Sequence, residues 1–201
     1  MGKIVKKVKT DEKPFDINSI KTGDTFLTTD YSSFISWCIR GVMKKFAKKN
    51  NIDSSIVLSH SGRFVWIANE LYVYGSVDSG YKPWLFNNHY SLNDSNEGVI
   101  IMRRKIPLTK EEENKTINYC QYLVTVSIGY QYWNFIQWLA FVYLNIDLFK
   151  KDGDQFTYCF ESELMCRRNL NPEKYGDTYQ TDFFRLLNDI NYEIVYKNIK
   201  E

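Results

Sequence analysis

The chain holds only two histidines, four cysteines and four prolines among 201 residues. The cysteines (Cys38, Cys120, Cys159, Cys166) form no C-x-x-C pair, and with so little histidine they make no zinc pattern. No metal or other cofactor is therefore expected. An excess of one charge is missing too: 26 Lys and Arg face 24 Asp and Glu, and a net +2 is too small to argue for a nucleic-acid partner. The N-terminus, MGKIVKKVKTDEK, has lysines but no apolar h-region, so no signal peptide is read. Lys6 stands where the myristoylation pattern opened by Gly2 wants Ser or Thr. A cytoplasmic setting follows as the expectation, and disulfides are not expected there. Thr116 to Ile146 carries no charged side chain. Asn118, Gln121, Gln131, Asn134, Gln137 and Asn145 interrupt it, and its apolar pieces fall short of the ~20 residues a membrane span needs. Two buried helices are expected instead. Repeats, low-complexity tracts and linkers are also absent.

What the chain has in quantity is aromatic side chains: 15 Tyr, 13 Phe and 5 Trp. They suit one large core, and the length suits one domain. The turn at Gly23-Asp24 feeds a short strand, Thr25–Thr28. In YSSFISWCIRGVMKKFAKK, Phe34, Trp37, Val42 and Phe46 recur at helical spacing. Arg40, Lys44 and Lys48 stack on the opposite face, which reads as solvated or as a surface for anionic lipid or nucleic acid. SIVLSHSGRFVWIA and LYVYGSV read as a hairpin turning at Asn69-Glu70, and GVIIMRRKI as a further strand. A helix follows, opened by a Thr109/Glu112 capping box and ended at Gly129. YWNFIQWLAFVYLNI predicts a mostly buried helix, CFESELMCRR a short one, and NYEIVY a closing strand. The fold class is α+β.

Of the two histidines, His89 lies in the loop-like FNNHYSLND, whereas His60 begins a strand in SHSGRFVW. Cys159 stands where a turn and strand give way to a helix, and a helix N-terminus favours the thiolate. Cys38, Cys120 and Cys166 sit in apolar helical settings and are expected to be buried, unbonded core thiols. A histidine beside Cys159 would accept the thiol proton, as in Cys–His hydrolases. On residue types alone, a structural histidine and four core thiols is the competing reading.

The order of motifs resembles the circularly permuted branch of the NlpC-type papain-like hydrolases, the YiiX-like proteins. GDTFLT, SFISWCIR, SHSG, MRRKIPLT, GYQYW and FTYCFESEL follow one another as that branch's motifs do, over about residues 20–196. The resemblance implies a single domain with an antiparallel sheet packed against helices, spanning 20–201 after an N-terminal extension of 1–19. It implies Cys159 as nucleophile and His60 as base, with Glu161 in the place of the motif's Glu and Phe160 replacing its usual Ser. The implied substrates are cell-wall-type peptide amides or lipid acyl groups, met by a cytoplasmic or a virus-encoded enzyme. The chain departs from the pattern where a Glu about fifteen residues after the histidine usually orients the ring. That position is Gly75, with Ser76 and Asp78 nearby. The resemblance thus implies either a cysteine hydrolase or acyl-transfer enzyme, or a weakened or inactive binding or structural module. A gap is expected at Gly75, filled by water, a backbone carbonyl or Asp78.

Overall fold

Alternating side chains build the sheet that organises the chain. The computed structural model describes residues 15–31, 34–77, 80–86, 97–126, 129–130, 133–146, 156–157, 159–175 and 183–199. The strands are β1 (Thr25–Asp30), β2 (His60–Ile67), β3 (Glu70–Val77), β4 (Gly80–Leu85), β5 (Glu97–Arg104), β6 (Gly129–Tyr130), β7 (Phe156–Thr157) and β8 (Tyr192–Asn198). Six of them form one antiparallel sheet in the order β4-β3-β2-β1-β5-β8, while β6 and β7 make a short parallel pair. The helices are α1 (Phe34–Lys49), α2 (Lys110–Thr125), α3 (Trp133–Leu139), α4 (Cys159–Leu170) and α5 (Phe183–Leu187). This is a mixed α+β single domain, as the pattern predicts.

The period of two sorts each strand's residues between two faces. Phe26, Phe64, Val73, Val99 and Ile101 form one cluster with Ile20 and Phe86. Phe15 and Ile17, which the sequence assigns to the N-terminal extension, pack against that cluster. Leu27, Ile100 and Met102 point the other way, onto α1, α4 and α5, and Val65 and Tyr74 meet Cys120, Met165 and Cys166. Burial of these side chains at about 25 cal/mol per Å² is the main stabilising term.

Local signals set several boundaries. The capping box at α2 forms as expected: Glu112 N–H donates to Thr109 Oγ1 (3.2 Å) and Thr109 N–H to Glu112 Oε2 (2.8 Å). Gly129 does not end that helix; the cap is Val126, and Gly129 pairs with Phe156 in the parallel pair. The β2–β3 hairpin turns one residue earlier than expected, on Ala68 and Asn69, whose φ angles are 50° and 64°. Both central residues at positive φ define a type I′ turn, for which Asn-Gly is the favoured pair and Ala a poor first residue. Ala68→Asn with Asn69→Gly should therefore stabilise the fold by about 1 kcal/mol in urea unfolding. No gain would mean that the turn is not strained.

Two helices face differently from expectation. In α1 the buried residues are Ser36, Val42, Met43 and Ala47, while Phe34 and Trp37 are exposed. Among the described side chains of α3, Gln137 and Trp138 are buried and Ile136 is exposed. The helix continues as a π turn, Ala140–Leu144, which buries Ala140 and Val142 but exposes Tyr143 and Leu144. No helix among the described residues is long and apolar enough to cross a membrane.

Candidate thiol site

Cys159 is the first residue of α4, and the helix fits against β2 by polar side chains. Ser61 Oγ donates to the Cys159 carbonyl (2.7 Å), and two residues on, Arg63 Nε donates to Glu163 Oε2 (3.1 Å). Glu163 also accepts from Thr25 Oγ1 (2.6 Å) and Arg167 Nε (3.1 Å). Arg167 Nη1 reaches Asp189 Oδ2 at 2.9 Å. Arg63, Glu163 and Arg167 are each 1% exposed, so this is a buried network of charges behind the thiol. The carboxylate at the centre of that network is Glu163.

The sulfur occupies a break in the sheet. Phe64 exchanges backbone hydrogen bonds with Gly23 and Asp24 on the β1 side. Antiparallel pairing alternates, so the odd-numbered backbone groups of β2 are directed toward β3. The β2–β3 pairing begins only at Arg63–Tyr74. Before it, Ser61 N–H and Ser59 C=O address Cys159 Sγ instead: the thiol donates to Ser59 O at 3.8 Å, and Ser61 N–H favours the thiolate. Burial outweighs this and pushes the thiol up to about 12, against the N–H groups of Ser61, Phe160 and Cys159 itself. At neutral pH the Cys159 side chain is therefore a thiol.

His60 lies between the two residues that touch the sulfur, yet no hydrogen bond joins ring and thiol. The ring centroid is 6.1 Å from that of Trp84, on the face opposite to Ser61 and Arg63. Nε2 is enclosed with no partner among the described residues. Burial pulls the imidazole down to about 4, so it is neutral at pH 7. No Cys159–His60 hydrogen bond is thus formed, although their backbones adjoin.

The space at Gly75 is taken by a backbone carbonyl, one of the expected occupants, and by the Trp84 indole, which was not expected. A Cβ at this position would stand 3.0 Å from Ser61 O and 3.2 Å from Trp84 Cη2. The indole fills the space an orienting side chain would use. Gly75→Glu should cost about 1–3 kcal/mol through overpacking, and Trp84→Ala in the same chain should recover part of it in urea unfolding. Additive losses would show that Trp84 is not the obstacle. Ser76 Oγ is enclosed and has no partner among the described residues. Asp78 and His89 lie outside the described residues.

All four cysteines are free. Cys120 and Cys166 are buried as expected, each within reach of Tyr81 Oη (3.6 and 3.7 Å), but Cys38 is only partly buried. The sequence could not reveal the Ser61 amide as a sulfur partner, because that role depends on where the β2–β3 pairing ends. An open cleft of about 480 Å³ lies elsewhere, between α2 and the far end of α4, lined by Asn118, Tyr119 and Asn169.

The chain resembles the crystal structure of yiiX from Escherichia coli, described as a metalloprotein, with TM-score 0.50 and 13% identity over 89% of this chain and 97% of that one. At that identity the likeness establishes a YiiX-like fold and no activity. No family model matches the sequence, and no curated protein sequence matches it. Among the described residues, no three His, Cys, Asp or Glu side chains are grouped as metal ligands would be. The described thiol site, with Cys159 and His60 as its soft donors, does not fit a metal centre.

Proposed function

We propose that the chain is a thiol hydrolase or acyl-transfer enzyme of low turnover, with Cys159 as nucleophile and His60 as general base. The observation that carries this reading is the sulfur's position, at the head of α4 against the backbone on both sides of His60. The pair starts neutral, so the mechanism is general-base attack. This step requires the His60 ring to leave its place beside Trp84 and swing to the sulfur. It takes the thiol proton as the S–C bond forms, and the carbonyl π pair moves onto oxygen as the oxyanion. Backbone N–H groups at the head of α4 are the donors at hand for that oxyanion. The proton then passes to the leaving amine or alcohol, giving the acyl-enzyme, which water or an acceptor cleaves. An imidazole that burial holds below its ordinary value is a weaker base than a free one, which is the reason for proposing low turnover. The substrate classes are peptide amides or lipid acyl groups.

Trp84 over Gly75 favours a second reading, a binding or structural module on the same plan with no turnover. Site-resolved alkylation at pH 7 separates the two. The enzyme reading expects Cys159 to react faster than buried Cys120 and Cys166, and to lose at least tenfold with His60→Ala. Equal rates and indifference to His60 favour the module.

A further inference from the structure

One face of α1 combines exposed apolar side chains with lysines and no acid. Phe34 is 75% exposed and Trp37 63%, and their rings stack at 5.9 Å with no core beneath them. At 3.6 residues per turn, Lys44, Lys45 and Lys48 fall on the same side, within an arc of about 100°. The helix carries no Asp or Glu. The π turn extends this surface: Lys45 Nζ lies 5.2 Å from the Tyr143 ring centre, and Lys49 Nζ donates to Asn145 Oδ1 at 2.7 Å. Beside these contacts Leu144 is 67% exposed and Ile146 48%. The surface is therefore a strip, with large apolar groups at both ends and ammonium groups between.

Exposed apolar clusters of this kind mark interaction sites. The lysines require an anionic partner, and they would repel one another across a two-fold contact between copies. The aliphatic members, Leu144 and Ile146, have no use in a groove that binds nucleic acid by aromatic stacking and cationic contacts. They suit the boundary between lipid headgroups and acyl chains, where lysines hold anionic headgroups and Trp and Phe enter.

We propose that α1 and the 143–146 turn dock this protein on an anionic lipid bilayer. The inference stands whether or not Cys159 turns over a substrate. The test is co-sedimentation of the full chain with phosphatidylcholine vesicles, with and without about one third phosphatidylserine. The expected result is binding to the anionic vesicles and at least tenfold weaker partition onto neutral ones. Lys44→Glu/Lys45→Glu/Lys48→Glu and, separately, Phe34→Ser/Trp37→Ser should each lose tenfold or more. Both sets lie on the exposed face, so the circular-dichroism melting curves should stay unchanged. No binding to anionic vesicles, or binding that survives both variants, overturns the proposal. So does a dimer in ultracentrifugation that Phe34→Ser/Trp37→Ser abolishes, or a single-stranded RNA that competes the vesicles off.

Discussion

Replacing Glu163 with alanine removes about 3–5 kcal/mol of stability, the largest loss expected from any single change in this chain. The carboxylate sits between two arginines that are themselves buried, and it accepts from Arg63, Arg167 and Thr25. Burial opposes the Arg63 charge, and Glu163 more than offsets it, holding that guanidinium well above its ordinary value. Without Glu163, Asp189 still faces Arg167, but Arg63 keeps only the Gly23 carbonyl at 3.3 Å. An uncompensated buried cation is the source of the cost. Glu163→Gln retains volume and acceptor oxygen and should cost less. Urea midpoints of the two variants check this; an alanine variant within about 0.5 kcal/mol of the parent would show that the network is not stabilising.

The second large effect is acid destabilisation through His60. The imidazole titrates near 6.5 in an unfolded chain and at about 4 in the fold, because burial disfavours the cation. Between those values the unfolded chain binds a proton that the fold does not. Stability from this group is whole above pH 6.5 and is lost as pH falls toward 4. At about 1.36 kcal/mol per pH unit the loss is at most about 3 kcal/mol, reduced by the partial exposure of the ring. Asp189 is also held below its ordinary value, because the hydrogen bonds from Tyr175 and Asn191 outweigh burial, so the useful quantity is a difference between proteins. His60→Gln should lose less stability than the parent between pH 7 and 4.5 in urea unfolding. Equal losses in both would place the acid sensitivity elsewhere.

What the sequence revealed and what it hid divide along physical lines. The alternation in β2 and β3 and the Thr109/Glu112 box are local, and both form as written. Cys159 at a helix start was legible for the same reason. Phe34 and Trp37 misled, because helical spacing identifies a face without saying whether anything covers it. The hairpin shifted by one residue because Ala68 carries no turn signal. The indole over Gly75 was out of reach: it depends on β4 pairing with β3 so that Trp84 lies opposite Val73. His60 was placed beside Cys159 by motif order, and backbone adjacency follows that order. The direction of the ring does not, because it depends on the pleat and on what surrounds it.

The pH profile of Cys159 alkylation, followed by mass spectrometry from pH 5 to 9, tests the paired thiol and imidazole most directly. If neutral His60 is the base, the rate is governed by an imidazole titrating at about 4 and stays nearly flat over this range. In His60→Ala the same thiol, titrating at about 12, should react only as thiolate, and its rate should rise tenfold with each pH unit. A parent protein that already shows that tenfold rise, unchanged by His60→Ala, would contradict the pairing and leave Cys159 a core thiol.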